Sequence, residues 1–339
     1  MMPRTLLAAF FLASAGLASA ASLPPTLTWT ESAAFPEPRA GYGAGAIDGQ
    51  LIIVGGAYWK GTPGKWTEKV FSSATHAFNP VTQTWTKLPD APVTVGYPGY
   101  TQVNDELYII SGMQNGKPSP TVYVLRKAGS HYVWRRQGEL PETRLFAPAI
   151  TVGRTIYLVG GTHEFEPTDA KGTCCTSRTA TTSLWALDTA YPASGWRRLA
   201  DFPGEGRWDQ KAVSDGTAIY MLGGSHQVRN EDPVKILNDV LRYDLKTGTW
   251  SRFSGMPEAM QRAAPVFAQG RILLIGAAQK AMVFDPKRVA FTPVAPLPRE
   301  VRVDHFEWIP PFLVGTGGET KIERPRRRSE WTFLGRISP

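Results

Sequence analysis

The stretch Leu51-Ile52-Ile53-Val54-Gly55-Gly56 decides the fold, because it recurs along the chain. Two close copies are Ile156-Tyr157-Leu158-Val159-Gly160-Gly161 and Ile219-Tyr220-Met221-Leu222-Gly223-Gly224. Three looser ones are Leu107-Tyr108-Ile109-Ile110-Ser111-Gly112, Ile272-Leu273-Leu274-Ile275-Gly276-Ala277 and Phe312-Leu313-Val314-Gly315-Thr316-Gly317-Gly318. The second-glycine positions 56, 112, 161, 224, 277 and 318 are 56, 49, 63, 53 and 41 residues apart. A series of aromatics, Trp29, Trp85, Trp134, Trp196, Trp250 and Phe291, is spaced 56, 49, 62, 54 and 41. The two series move together, so insertions fall inside whole structural units.

Within a unit, turn signals such as Asp48-Gly49, Asn104-Asp105 and Asp215-Gly216 precede the apolar run. Asn79-Pro80 or Lys246-Thr247-Gly248 precedes the tryptophan. This pattern predicts four short antiparallel strands per unit. Six such meanders bury their faces by packing radially, so the expectation is an all-β six-bladed β-propeller. The isolated Leu27-Thr28-Trp29-Thr30 has no glycine pair before it, and the last unit stops at Trp331-Thr332-Phe333-Leu334 without its tryptophan strand. The N-terminal strand is therefore expected to complete the last blade and close the ring.

Composition agrees with a packed β-protein. The 339 residues are 42% hydrophobic and 19% charged, with 33 Gly, 28 Pro, 11 Trp, 15 Phe and 11 Tyr. That excludes a disordered chain and points to many turns and aromatic-rich strands. Residues 1–20 read as an export signal: Arg4, an apolar stretch from Leu6 to Leu17 too short for a membrane span, then Ala18-Ser19-Ala20. No later window reads as a membrane span. The expectation is a periplasmic or secreted single domain over residues 21–339. Removing Arg4 takes the formal net charge from +8 to +7, which favours acidic ligands. Nucleic acid is not expected, since no RRM, KH or zinc-finger signature is present. The adjacent Cys174 and Cys175 cannot staple a long loop, and their redox state stays open.

The glycine pair, aromatic strand and period of about 50 residues resemble the kelch family. In a meander, the connections between blades and the loops after the glycine pairs share one face. On the connections, Arg39, Arg144, Arg207, Arg262 and Arg302 recur a few residues after a proline. On the loops stand Tyr58, Trp59, His163, His226 and Glu319. The arginines have two readings: an array neutralised by an anionic ligand, or framework residues bonding carbonyls of adjacent blades. The five histidines lack metal-ligand spacing, so neither a metal nor another cofactor is expected. Oxidase chemistry of the copper kelch type is disfavoured, because both cysteines sit in one polar insertion.

Two stretches resemble the N-acetylneuraminate epimerases, or sialic acid mutarotases. One is Gly55-Gly56-Ala57-Tyr58-Trp59-Lys60-Gly61 with Trp66-Thr67-Glu68-Lys69-Val70 and Phe78-Asn79-Pro80. The other is Gly317-Gly318-Glu319 followed by an arginine-rich loop and Ser329-Glu330-Trp331. The resemblance implies a catalytic glutamate just after a glycine pair and an arginine a few residues on, which maps to Glu319 and either Arg324 or Arg328. It implies a small anionic sugar in a central pocket and anomerisation by general acid–base catalysis. The alternative is a non-catalytic module binding a protein partner or a cell-envelope glycan.

Overall fold

A computed structural model describes residues 25–62, 65–164, 166–167, 175–176, 179–228, 232–257, 263–276, 280–320 and 328–338. The expected export signal, Cys174, Arg262 and Arg324 lie outside them. The described residues are all-β, with one short 3₁₀ turn at Pro192–Ser194. No helix among them is long and apolar enough to cross a membrane.

The first strands are β1 (Thr26–Glu31), β2 (Gly43–Ile47), β3 (Gln50–Val54), β4 (Ala57–Thr62), β5 (Lys65–Phe71), β6 (Thr75–Asn79) and β7 (Thr84–Leu88). The order β2-β3-β6-β7 forms a four-stranded antiparallel sheet, with β4 and β5 as a hairpin inserted between β3 and β6. Four further meanders begin at Gly99, Ala149, Lys211 and Ala264. A sixth sheet takes Phe306–Ile309, Phe312–Thr316 and Thr332–Ser338 from the chain's end and β1 from its start. There Leu27 faces Ile337 and Trp29 faces Gly335. A Cβ on Gly335 would lie 2.6 Å from the Trp29 ring, so the indole occupies the space that glycine leaves.

Six apolar clusters lie between successive sheets. One joins the sixth to the first through Phe35, Tyr42, Leu51, Phe78, Phe312 and Leu334. The first strand of each sheet also contacts that of the next, and that of the sixth contacts β2. Small residues allow this convergence: a Cβ at Gly43, Gly45 or Gly99 would meet Ile109, Leu107 or Leu158 at 2.5, 2.8 and 2.6 Å. The arrangement is propeller-like.

The recurrent tryptophans stitch neighbours together. Trp29, Trp85, Trp134 and Trp250 donate their indole N–H to Ala295, Ala33, Pro89 and Ala200, each a carbonyl on the connection leaving the preceding sheet. A large apolar body with one donor suits this half-buried position.

Candidate functional site

A cavity of about 1320 Å³ runs along the first strands of all six sheets. Its rim is set by a backbone device. Tyr97 N–H donates to the Gly41 carbonyl at 2.8 Å, Phe146 N–H to that of Tyr97 at 3.0 Å, and Asp209 N–H to that of Phe146 at 3.3 Å. Gly41 N–H donates instead to Asp304 Oδ2 at 2.7 Å. All four residues linked through their backbones have left-handed φ, 66° at Gly41 and 53°, 55° and 55° at Tyr97, Phe146 and Asp209. This conformation is uncommon for bulky residues, and here the linkage between sheets holds it. Each such residue lines the cavity, and the Tyr97 and Phe146 rings stack at 4.1 Å.

The recurrent arginines divide by register. Arg39, Arg144 and Arg207 each stand 17 residues before the second glycine of their pair, at Gly56, Gly161 and Gly224. Arg302 stands 16 before Gly318. The first three are fully buried and line no part of the cavity. Arg39 bonds Ser72 Oγ at 2.8 Å, the Ala74 carbonyl at 3.2 Å and His76 Nδ1 at 3.0 Å. Arg144 bonds Ser183 Oγ at 2.7 Å, His163 Nδ1 at 2.8 Å and Glu142. Arg207 bonds the Gly223 carbonyl at 3.1 Å and both Asp239 oxygens, at 2.6 and 3.2 Å. A Cβ on Gly56 or Gly224 would lie 3.1 Å from Arg39 Cβ or 3.2 Å from Arg207 Cδ, so arginine and glycine pair are two parts of one brace.

Breaking a buried ion pair from one side typically costs about 3–5 kcal/mol. Arg207→Ala, which strands Asp239 and the Gly223 carbonyl, is expected to lower unfolding free energy by about that amount in urea denaturation. A loss below about 1 kcal/mol would contradict the bracing role.

Burial, reinforced by the charge of Arg39, pushes the His76 imidazole down from 6.5 to about 4. Burial and then Arg144 lower His163 as well. Between about pH 6.5 and 4 the unfolded chain thus binds more protons than the folded one, so stability is expected to drop as pH falls through that window. The slope of denaturation midpoint against pH should flatten in His76→Gln. An unchanged slope would place the sensitivity elsewhere.

Arg302 behaves differently because the shift of one residue turns its side chain to the other face. In the short ladder joining 301–302 to 319–320, Arg302 lies directly opposite Glu319. Both line the cavity, and Arg328 joins them by pairing with Glu319 while donating Nε–H to the Ala57 carbonyl at 3.0 Å. Arg302 Nη2 lies 3.0 Å from each Asp209 oxygen, and its Nε is 3.9 Å from Asp304 Oδ1. Burial works to lower the guanidinium, but Asp209, Asp304 and Glu319 outweigh it and hold Arg302 above its ordinary value.

The β4–β5 hairpin overhangs the same rim. Trp59 faces Lys69 across it, and both line the cavity. The Lys69 ammonium sits 4.8 Å over the Tyr97 ring and 5.9 Å from that of Trp59. Tyr58, one residue out of step, is half-buried and does not line the cavity. Nor do His163 or His226, whose Nδ1 lies 2.8 Å from the Gly206 carbonyl. Among the described charged lining residues, Lys69, Lys211, Arg302 and Arg328 are balanced by Asp209, Asp304, Glu307 and Glu319. Asp209, Lys69 and Asp304 were not singled out from sequence. Asp209 carried a signal, since Gly41, Tyr97, Phe146 and Asp209 all stand 15 residues before a second glycine.

Comparison with known proteins bears on both levels of this description. Residues 38–92 match the kelch motif, and residues 175–287 match the N-acetylneuraminate epimerase family. These matches fit a kelch-repeat protein resembling N-acetylneuraminate epimerase. An N-acetylneuraminate epimerase of Yersinia enterocolitica is 34% identical over 106 residues, covering 30% of this chain and 27% of the relative. One from Vibrio cholerae is 38% identical over 73 residues, 21% and 19% of the two chains. Kelch-like protein terF of Aspergillus terreus is 25% identical over 268 residues, covering 74% of this chain and 52% of terF. The matches to the two N-acetylneuraminate epimerases thus span only 27% and 19% of those relatives.

Proposed function

We propose that the chain is an exported, periplasmic or secreted, six-bladed propeller closed by β1, in which residues 21–339 form one domain. It binds an anionic sugar of the N-acetylneuraminate type in the axial cavity and catalyses its mutarotation. The single observation that carries the reading is the cross-strand placement of Arg302 opposite Glu319 at the cavity, with Arg328 on the same carboxylate. Directly opposed residues hold their Cβ atoms about 4.5–5.5 Å apart. In a sialate, one carbon bears both the carboxylate and the anomeric hydroxyl. An arginine that grips the carboxylate and a glutamate that takes the hydroxyl proton must therefore be neighbours.

In this reading Arg302, assisted by Arg328, holds the carboxylate through the planar guanidinium fork. Glu319 accepts the anomeric proton as the ring carbon–oxygen bond opens, and the ring oxygen takes a proton from cavity water. Reclosure on the other face of the carbonyl gives the second anomer, and the proton transfers reverse. Arg39, Arg144 and Arg207 brace the blades. Because the charges of the described lining residues balance, the placement of Arg302 opposite Glu319, rather than a net positive field, carries the selectivity in this reading.

Calorimetry with N-acetylneuraminate and glucuronate tests this directly. In glucuronate the carboxylate is borne by C5, on the far side of the ring oxygen, and not by the anomeric carbon, so one carboxylate–arginine contact or the glutamate contact is lost. Weaker binding by about tenfold or more is expected, the size of a lost charged hydrogen bond. Equal binding of the two acids would contradict the placement, and binding of polymeric glycan alone would favour a non-catalytic module.

A further inference from the structure

Arg302 owes its direction to a residue 93 positions away in sequence. Asp209 accepts from Nη2 through both oxygens, at 3.0 Å each, and it comes from the rim position of the fourth sheet. Its own backbone is fixed, with φ at 55° and N–H donated to the Phe146 carbonyl. Asp304, a second carboxylate beside Arg302, has Oδ2 committed to Gly41 N–H, and its Oδ1 is 3.9 Å from Nε. Arg302 Nε is buried without a hydrogen-bond partner among the described residues. Asp209 is thus the hydrogen-bonded anchor of a guanidinium that lines the cavity beside Glu319.

We propose that Asp209 is the positioning residue that aims the Arg302 guanidinium at the carboxylate of an acidic ligand. The inference rests on the reading of Arg302 as carboxylate holder, but it has a consequence opposite in sign to simple charge. Asp209 carries a negative charge into a cavity that receives an anion, and it also lies 3.6 Å from Lys211. By Coulomb's law alone, removing that charge strengthens anion binding. If Asp209 positions Arg302, removing it weakens binding, because a long guanidinium freed from its anchor must be reordered for each ligand.

The test uses the full-length protein with N-acetylneuraminate as the probe. Asp209→Asn and Asp209→Gly both tolerate the left-handed backbone, so the rim turn is retained, and thermal melts check that each variant folds. Calorimetric affinity is expected to fall by about tenfold or more in both, the loss typical of a charged hydrogen bond. The double variant Asp209→Asn/Arg302→Gln should bind no more weakly than Arg302→Gln alone, because the two residues act as one unit. Unchanged or tighter binding in Asp209→Asn, or fully additive losses, would overturn the proposal.

A wild type that binds no sugar acid contradicts the functional reading and leaves the positioning to be read without ligand. Nitrogen-15 NMR then reports the Arg302 guanidinium: hindered rotation, with resolved Nη protons, is expected in wild type and lost in Asp209→Asn. Identical Arg302 signals in the two proteins would overturn the anchor itself.

Discussion

Deletion of Thr26–Glu31 is expected to lower the melting temperature by about 10 °C or more and to promote aggregation. This strand supplies the outer edge of the sixth sheet, paired residue by residue with 333–338. Leu27 is buried in the cluster between the fifth and sixth sheets, worth about 1.5–3 kcal/mol alone. Trp29 fills the space above Gly335 and donates to Ala295, and Glu31 pairs with Arg299 at 2.7 Å. With about 2–4 °C of melting temperature per kcal/mol in a larger domain, these losses together exceed 10 °C. Removing the strand also bares a long unpaired edge at Thr332–Ser338, which templates association. Calorimetric melting and light scattering check both parts. A truncated protein that melts like wild type and scatters no more light would show that β1 does not close the ring.

Glu319→Gln is expected to reduce catalysed anomerisation by about 10²–10⁴-fold, the usual cost of losing a general base. The amide keeps the shape of the carboxylate and can still accept a hydrogen bond from Arg328, so the fold should be nearly unaffected. Sugar binding should change far less than rate, because Arg302 keeps its anchor on Asp209. Line-shape or exchange NMR on the sugar, corrected for spontaneous interconversion, separates the two effects. A variant as fast as wild type would make Glu319 a structural partner of Arg328 alone.

The all-β organisation was legible in sequence because glycine pair and tryptophan do separable jobs that the chain repeats. The glycines make room for a packed arginine, as at Gly56 and Gly224, and the indoles bond the preceding connection. Recurrence after a proline presents the arginines as one set, although their distance to the glycine pair distinguishes Arg302 from Arg39, Arg144 and Arg207. A single-residue offset in an extended segment exchanges a brace for a cavity residue, and recurrence after a proline does not reveal that offset. Trp59 and Lys69 reach the cavity because a hairpin insertion folds over the rim, with alternation turning Tyr58 the other way. Asp209 carries a positional signal, but its pairing with Arg302 is not legible in sequence, for a different reason. Its partner is distant in sequence, and only the convergence of sheets brings the two to 3.0 Å.

The most direct measurement is the interconversion rate of the two anomers of free N-acetylneuraminate, followed by NMR with and without catalytic amounts of the wild-type protein. The account predicts exchange faster than the spontaneous background, in proportion to protein concentration and absent for glucuronate. An exchange rate equal to background at every protein concentration, with the sugar shown to bind, would contradict it.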